Sequence, residues 1–305
     1  MNMKIKNKKE GGKFTCIYDE RNKITEILDN GVMLARYGYD DNSHLIREDN
    51  KMINKTSTYE YNEKGKIIKK CDYAFSLSRK LLNGELSEYR YSLTGDELIS
   101  YNGEQFEYNG LGYPTKYRDA NFKWMGNKLI EIENIAKYSY NKQGVRTSKT
   151  INNLTTKFCL NGNRILSQDN GTILNFHYIN DDIEGFTLDV PKYFSLNFKY
   201  KKNVFGDVVG IYNSNDVLIC KYVYDASGNC FCFVLNSKKQ FVNIETDLDF
   251  NEINSMDMYV AQINPFRYRG YYYDVETGFY YTQNNNYYDC EIGKFVNPNI
   301  KKEDD

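Results

Sequence analysis

Proline and tryptophan are scarce in this chain of 305 residues, at four copies and one, and histidine occurs twice. Few prolines leave the backbone N–H groups free to join sheet ladders almost everywhere. Two histidines, His44 and His177, leave little material for nucleophile–base chemistry. Neither charge is in excess: 40 Lys+Arg stand against 41 Asp+Glu, a formal charge of -1. That balance makes neither a nucleic-acid phosphate backbone nor an anionic membrane surface an obvious partner. No run is long and apolar enough to span a bilayer. The basic start, Met1 to Lys13, lacks the apolar run of a secretory signal, which makes the chain cytoplasmic as encoded and leaves its final location open. The seven cysteines (Cys16, Cys71, Cys159, Cys220, Cys230, Cys232 and Cys290) are odd in number and include no CxxC pair, which argues for buried thiols rather than a disulfide framework. Gly11-Gly12 lacks the Lys-Ser/Thr of a phosphate loop, and Asp40-Asp41 and Asp181-Asp182 lack the order of a calcium loop.

Tyrosine, in contrast, is abundant, with 29 copies beside 17 Phe. Flat aromatics suit a pleated, half-buried surface. They fall into a recurring unit, aromatic-x-aromatic-Asp/Asn-x-x-Gly-x-aliphatic. Clear copies are Tyr37-Gly-Tyr39-Asp40, Tyr59-Glu-Tyr61-Asn62 with Gly65 and Ile67, Tyr138-Ser-Tyr140-Asn141 with Gly144, and Tyr222-Val-Tyr224-Asp225 with Gly228. Weaker ones sit at Tyr18-Asp19, Tyr89-Arg-Tyr91, Phe106-Glu-Tyr108 with Gly112, and Phe198-Lys-Tyr200 with Gly206. Residues i and i+2 of a strand share a face, Asp/Asn-x-x-Gly closes a turn, and the aliphatic residue opens the return strand. Each unit is therefore a β-hairpin, and because a lone hairpin is marginal in water the units must stack. Between 151 and 195 the pattern fades to Phe158-Cys-Leu160 and Phe176-His-Tyr178, strands of open register.

Near the end stand Asn264-Pro-Phe-Arg-Tyr-Arg-Gly-Tyr-Tyr-Tyr-Asp-Val-Glu-Thr-Gly-Phe-Tyr-Tyr and Tyr287-Tyr-Asp-Cys-Glu-Ile-Gly-Lys-Phe-Val-Asn-Pro. They closely resemble the RHS repeat-associated core of the bacterial RHS/YD-repeat family of polymorphic-toxin proteins, which also resembles the teneurin shell. The run from Phe205 through Tyr222-Val-Tyr-Asp-Ala-Ser-Gly-Asn resembles the segment before that core, so the strong resemblance covers roughly 176 to 299. It implies an all-β fold, a spiral antiparallel sheet of stacked YD hairpins forming a partial, open shell closed by a C-terminal core plug. The plug residues would be Pro265, Phe266, Arg267, Tyr268, Arg269, Gly270, Tyr271, Tyr272, Tyr273, Asp274, Gly278, Tyr287, Tyr288, Asp289, Gly293 and Phe295. The expected division is a disordered basic N-terminus (1–13), a hairpin array (14–262), the core segment (263–299) and a short charged tail (300–305). Two departures stand out. The Asp-Pro-x-Gly-Leu motif tied to self-cleavage does not follow Phe295-Val-Asn-Pro, and Asn286 and Cys290 replace the usual Arg and Pro. The chain thus reads as a truncated relative of toxin carriers, an open cup that is either a remnant or half of a split assembly.

Chemistry is sparse in this reading. Asp274 and Asp289 are candidates for self-cleavage, since two carboxylates held close can share a proton and act as acid and base, with Arg267 and Arg269 nearby. Turn capping beside Gly278 and Gly293 is the plainer role for both. Cys230 and Cys232 face one way on a strand but lack two further zinc ligands. The expectation is therefore a chain that is not an enzyme and takes no cofactor or metal. It would be a shell or interaction protein whose partner is a further shell segment or a toxin cargo. The alternative is recognition of carbohydrate or a cell surface by Tyr-rich sheet faces, which requires Tyr39, Tyr61, Tyr140 and Tyr224 to face solvent.

Overall fold

The computed structural model describes residues 4–6, 14–94, 97–245, 253–282 and 285–298. The chain is all-β, with an open rather than closed antiparallel sheet, and divides into two compact units, Met1–Phe106 and Glu107–Asp305. The expected tail at 300–305 lies outside the described residues, as does most of 1–13. Of the latter, Lys4–Lys6 is a strand paired with Phe14–Tyr18.

In the first unit each strand pairs with the next in chain order, from Phe14–Tyr18 through Ile24–Asp29, Val32–Tyr39, Leu45–Asn50, Lys55–Tyr61, Ile67–Ala74 and Glu85–Tyr91 to Leu98–Tyr101. The repeat explains the hairpins. At Asn62 the backbone N–H donates to the Lys66 carbonyl (2.9 Å) and Gly65 N–H returns to the Asn62 carbonyl (2.9 Å). The Asn62 side chain accepts from the N–H groups of Lys64 (3.0 Å) and Lys66 (2.9 Å), filling the loop from within. Gly65 has φ +69°, and an added Cβ would lie 2.7 Å from His44 Nε2. This is the turn-plus-bulge hairpin, in which the fourth residue must be left-handed. The register accordingly shifts between Glu60 and Tyr61. Asp19, Asp40, Asn109, Asn141, Asn203 and Asp225 each accept the N–H four residues on in the same way. The opposite hairpin ends use two-residue turns with both φ positive, Asn30-Gly31, Asn102-Gly103 and Asn152-Asn153.

The second unit continues the pattern from Pro114–Tyr117 to Phe241–Asn243, including four strands (Leu154–Asn161, Arg164–Asp169, Ile173–Ile179 and Asp182–Val190) where the motif fades. Burial alternates along them: in Leu154–Asn161 only Thr156 and Phe158 are buried. The apolar face so formed is covered by the C-terminal segment. That segment comprises the helix Ser255–Ile263, capped by Asn254, and a small sheet of Tyr272–Asp274, Phe279–Tyr281, Tyr287–Asp289 and Lys294–Phe295. Aromatic contacts fasten the cover: Phe266 meets Phe176 edge-on at 4.8 Å, Tyr272 meets Phe158 at 5.6 Å, and Phe279 meets Tyr117 at 5.5 Å.

In six of the repeats the second aromatic has the same task. Its hydroxyl donates to a carbonyl at the start of the preceding hairpin's return strand: Tyr39 to Ile24 (2.9 Å), Tyr61 to Leu45 (2.7 Å), Tyr91 to Ile67 (3.0 Å), Tyr140 to Leu129 (2.7 Å), Tyr178 to Ile165 (2.8 Å) and Tyr224 to Val208 (2.6 Å). Trp124 takes the same place, its Nε1–H donating to the Pro114 carbonyl (2.7 Å).

Candidate functional site

A concentration of buried charge lies in the second unit, between the cover and the return strand Arg146–Ile151. A turn at Asn141–Val145 delivers Arg146 to the inner face, and Lys149 follows three residues later. The Arg146 side chain is fully buried and grips Asp274 with both terminal nitrogens, at 2.6 and 3.0 Å. Such a forked pair is the strong form of the Arg–carboxylate contact. Lys149 Nζ bridges Asp274 (3.1 Å) and Glu276 (2.8 Å), and the Tyr138 hydroxyl donates to Glu276 (3.3 Å). Four rings enclose the guanidinium, with Tyr281 at 4.0 Å and Tyr138, Tyr272 and Phe158 between 5.2 and 5.4 Å. Burial alone would raise the Asp274 carboxyl, but Arg146 and Lys149 outweigh it and hold it below its ordinary value. Burial and the neighbouring Asp274 push Glu276 upward.

Asp289 belongs to a separate cluster. It accepts from the Tyr117 hydroxyl (3.0 Å) and Arg118 (3.1 Å), and its other oxygen takes the N–H groups of Glu291 (2.9 Å) and Ile292 (3.2 Å). Burial, opposed by Arg118, raises its carboxyl. Asp274 and Asp289 both stand opposite Phe279, on either side of that strand, and each has its own cation. The structure therefore does not bring the two together as a proton-sharing pair. Side-chain turn capping is seen at Asp289, whereas at Asp274 the turn N–H groups of Thr277 and Gly278 go to the backbone carbonyl.

Arg267 and Arg269, adjacent to the aspartates in sequence, pair with neither. Arg267 is buried and donates to the carbonyls of Asn264 (3.2 Å) and Gln262 (3.3 Å), with the Tyr273 ring 4.5 Å away. The other core residues pack: Phe266, Tyr272, Tyr280, Tyr281 and Tyr287 are at most 1% exposed. Pro265 is buried, Gly270, Gly278 and Gly293 take positive φ, and Tyr268 stacks on Tyr288. Tyr271 and Tyr273 are half-buried and Phe295 is exposed.

The remaining candidates have structural partners. His44 Nδ1 meets Asp40 (3.0 Å) and its ring stacks on Tyr61, while His177 Nε2 meets the Thr187 hydroxyl (2.8 Å). Cys232 is buried and Cys230 half-buried, and burial pushes the Cys230 thiol up to about 12. Among the described residues no group of His, Cys, Asp and Glu is arranged to hold a metal. Sequence reasoning missed Arg118, Arg146 and Lys149. In sequence each looks like an ordinary solvent-facing cation, and its partner lies more than 120 residues away.

No family model matches the chain. It is 27% identical over 214 residues to the tRNA3(Ser)-specific nuclease WapA of Bacillus spizizenii and 26% identical over 214 residues to the tRNA nuclease WapA of Bacillus subtilis strain 168. The match takes in 66% of this chain, which spans only 8% of the length of either relative. Among solved structures it is similar to TcdB2-TccC3 without its hypervariable C-terminal region, with TM-score 0.63 at 14% identity over 93% of this chain and 15% of that one. It is also similar to TcdB2-TccC3 itself, with TM-score 0.58 at 14% identity over 93% of this chain and 16% of that one.

These findings correct two expectations. The chain read as a shell or interaction protein that is not an enzyme, yet its curated relatives are named as nucleases. No motif or residue cluster in the sequence points to RNA cleavage. The carbohydrate-recognition alternative gains no support either: Tyr39, Tyr61, Tyr140 and Tyr224 are half-buried, with hydroxyls committed to backbone carbonyls. The likeness to the solved structures, at 14% identity, is one of fold.

Proposed function

We propose that this chain serves an RNA-cleaving toxin of the kind its curated relatives are named for, and that residues 263–299 are the RHS repeat-associated core of that protein, following a YD-hairpin array at 14–262. The observation that carries the reading is the 214-residue likeness to proteins named as tRNA nucleases. The buried fit of the core aromatics supports the second part. RNA cleavage is not assigned to the Arg146–Asp274 network, since a phosphodiester cannot reach side chains with no exposed surface. The proposal includes a protein partner, a further sheet segment or a toxin domain, in keeping with the two named components of the TcdB2-TccC3 structures.

The test is to produce the protein carrying this chain in a bacterial host and follow the tRNA pool by fragment sequencing. Accumulation of tRNA cut at a defined position is the expected result. An intact pool, with the protein soluble and full-length, would overturn the reading.

A further inference from the structure

Away from the buried network, the second unit carries a surface cavity of about 500 Å³ where the turns near 162, 180 and 206 meet the Arg269-Gly270 turn of the cover. Three cations line it: Arg164, Lys202 and Arg269. Their surroundings are unequal in a telling way. Arg164 is 28% exposed and lies 4.8 Å from the Tyr178 ring, so its guanidinium is held in place. Its carboxylate partner, Asp181, is 93% exposed. Lys202 is 15% exposed, while its partner Asp182, 3.4 Å away, is 82% exposed. Lys202 also meets Glu184 at 2.8 Å. The cations are anchored and two of the carboxylates hang in water, where an ion pair is worth little and is readily exchanged.

Arg269 completes the arrangement. Its backbone is left-handed (φ +52°), with its N–H held by Asp207 Oδ1 at 2.8 Å. A non-glycine residue in this conformation needs such support from its surroundings. Its guanidinium makes no ion pair with any carboxylate among the described residues, and it is exposed at the cavity.

We propose that this cavity binds a phosphate-bearing ligand of about nucleotide size, with Arg269 as the fixed fork and Arg164 and Lys202 released from Asp181 and Asp182 to join it. Phosphate is favoured over a simple carboxylate because three converging donors suit its several oxygens and double charge, and arginine forks match its geometry. The volume falls within the range of small-ligand sites. The site stands whether or not the protein cleaves RNA, and binding is read without any cleavage.

The test is calorimetric titration of the full chain with inorganic phosphate, adenosine monophosphate and acetate. Phosphate and the nucleotide bind with a Kd on the order of 1 mM or tighter, and acetate does not compete. Arg269→Gly, which keeps the left-handed backbone without strain, weakens binding about tenfold or more, whereas Arg269→Lys restores part of it. Trp124 fluorescence confirms that both variants fold. Nucleotide binding tighter than phosphate binding identifies a nucleotide or an RNA end as the source, and equal binding identifies free phosphate. Absence of binding by both, or binding that Arg269→Gly leaves unchanged, would overturn the proposal.

Discussion

Replacing Asp274 by Asn keeps the shape of the cover and removes one charge from its most buried point. The carboxylate accepts three contacts, two from Arg146 and one from Lys149, and is itself 0% exposed. Breaking a buried pair by removing one partner costs about 3–5 kcal/mol, because the remaining charge is left without compensation. Two features of the site reduce that cost. Lys149 keeps Glu276 at 2.8 Å, and Arg146 keeps the Tyr281 face at 4.0 Å, a contact worth up to ~2 kcal/mol when desolvated. The expected loss is therefore at the low end, about 3 kcal/mol. With a urea slope of roughly 2–3 kcal/mol per molar, the midpoint falls by about 1 M. Trp124 is the single tryptophan and lies in the unit 107–305, against Tyr113 and Tyr287, so its fluorescence follows the relevant transition. The difference also has a pH signature. Burial raises the Asp274 carboxyl and its cations lower it more, leaving it net below the ordinary 3.8. A depressed carboxyl contributes stability that is present above 3.8 and lost as pH falls through the folded value. The gap between native chain and variant should thus be flat near neutrality and close below that point. A midpoint shift under about 0.3 M, less than ~1 kcal/mol, would refute the view that this pair fastens the cover.

Tyr61→Phe removes the hydroxyl that reaches the Leu45 carbonyl and should cost about 1 kcal/mol in urea melts; an unchanged midpoint would mean that water replaces it without loss. Gly185→Ala sets a Cβ 2.1 Å from the Phe198 carbonyl oxygen, so backbone must shift and stability should fall by more than ~2 kcal/mol. A variant melting with the native chain would contradict the stated close approach. Of the described cysteines, Cys159 alone is exposed, while Cys220 and Cys232 are buried. A thiol reagent should label Cys159 in the native chain within minutes and the buried pair only on unfolding, as peptide mapping would show.

Much of the fold was legible because the repeat writes its physics in adjacent residues. Tyr61, Asn62 and Gly65 carry a fastening hydroxyl, a turn-filling amide and a left-handed glycine within five positions. Where one of these changes, the signal fades although the structure does not. Phe176-His-Tyr178 makes the same hydroxyl contact but runs into a two-residue turn at Asn180-Asp181, and Phe122-Lys-Trp124 puts an indole where a phenol was sought. The Asn30-Gly31 and Asn102-Gly103 dipeptides are hairpin signals of their own, outside the longer motif. The candidate site was only half legible. The core motif located Asp274 and Asp289, but their cations come from Arg118, Arg146 and Lys149, and no local pattern links residues that far apart. Proximity in sequence pointed instead to Arg267, which turns away to backbone carbonyls.

Six tyrosine fastenings point the same way along the chain: each of these hydroxyls reaches a carbonyl that precedes it, by 11 residues at Tyr140 and 24 at Tyr91. A hairpin therefore carries its own latch, and the catch is already in place on the strand made before it. For a polypeptide that emerges N-terminus first, a hairpin latched in this way can lock onto finished structure without waiting for anything still to come. Growth of the sheet becomes vectorial and its contacts stay local, the condition under which even a many-stranded β-structure folds quickly. The cover, whose charges reach back more than 120 residues, is then the closing step.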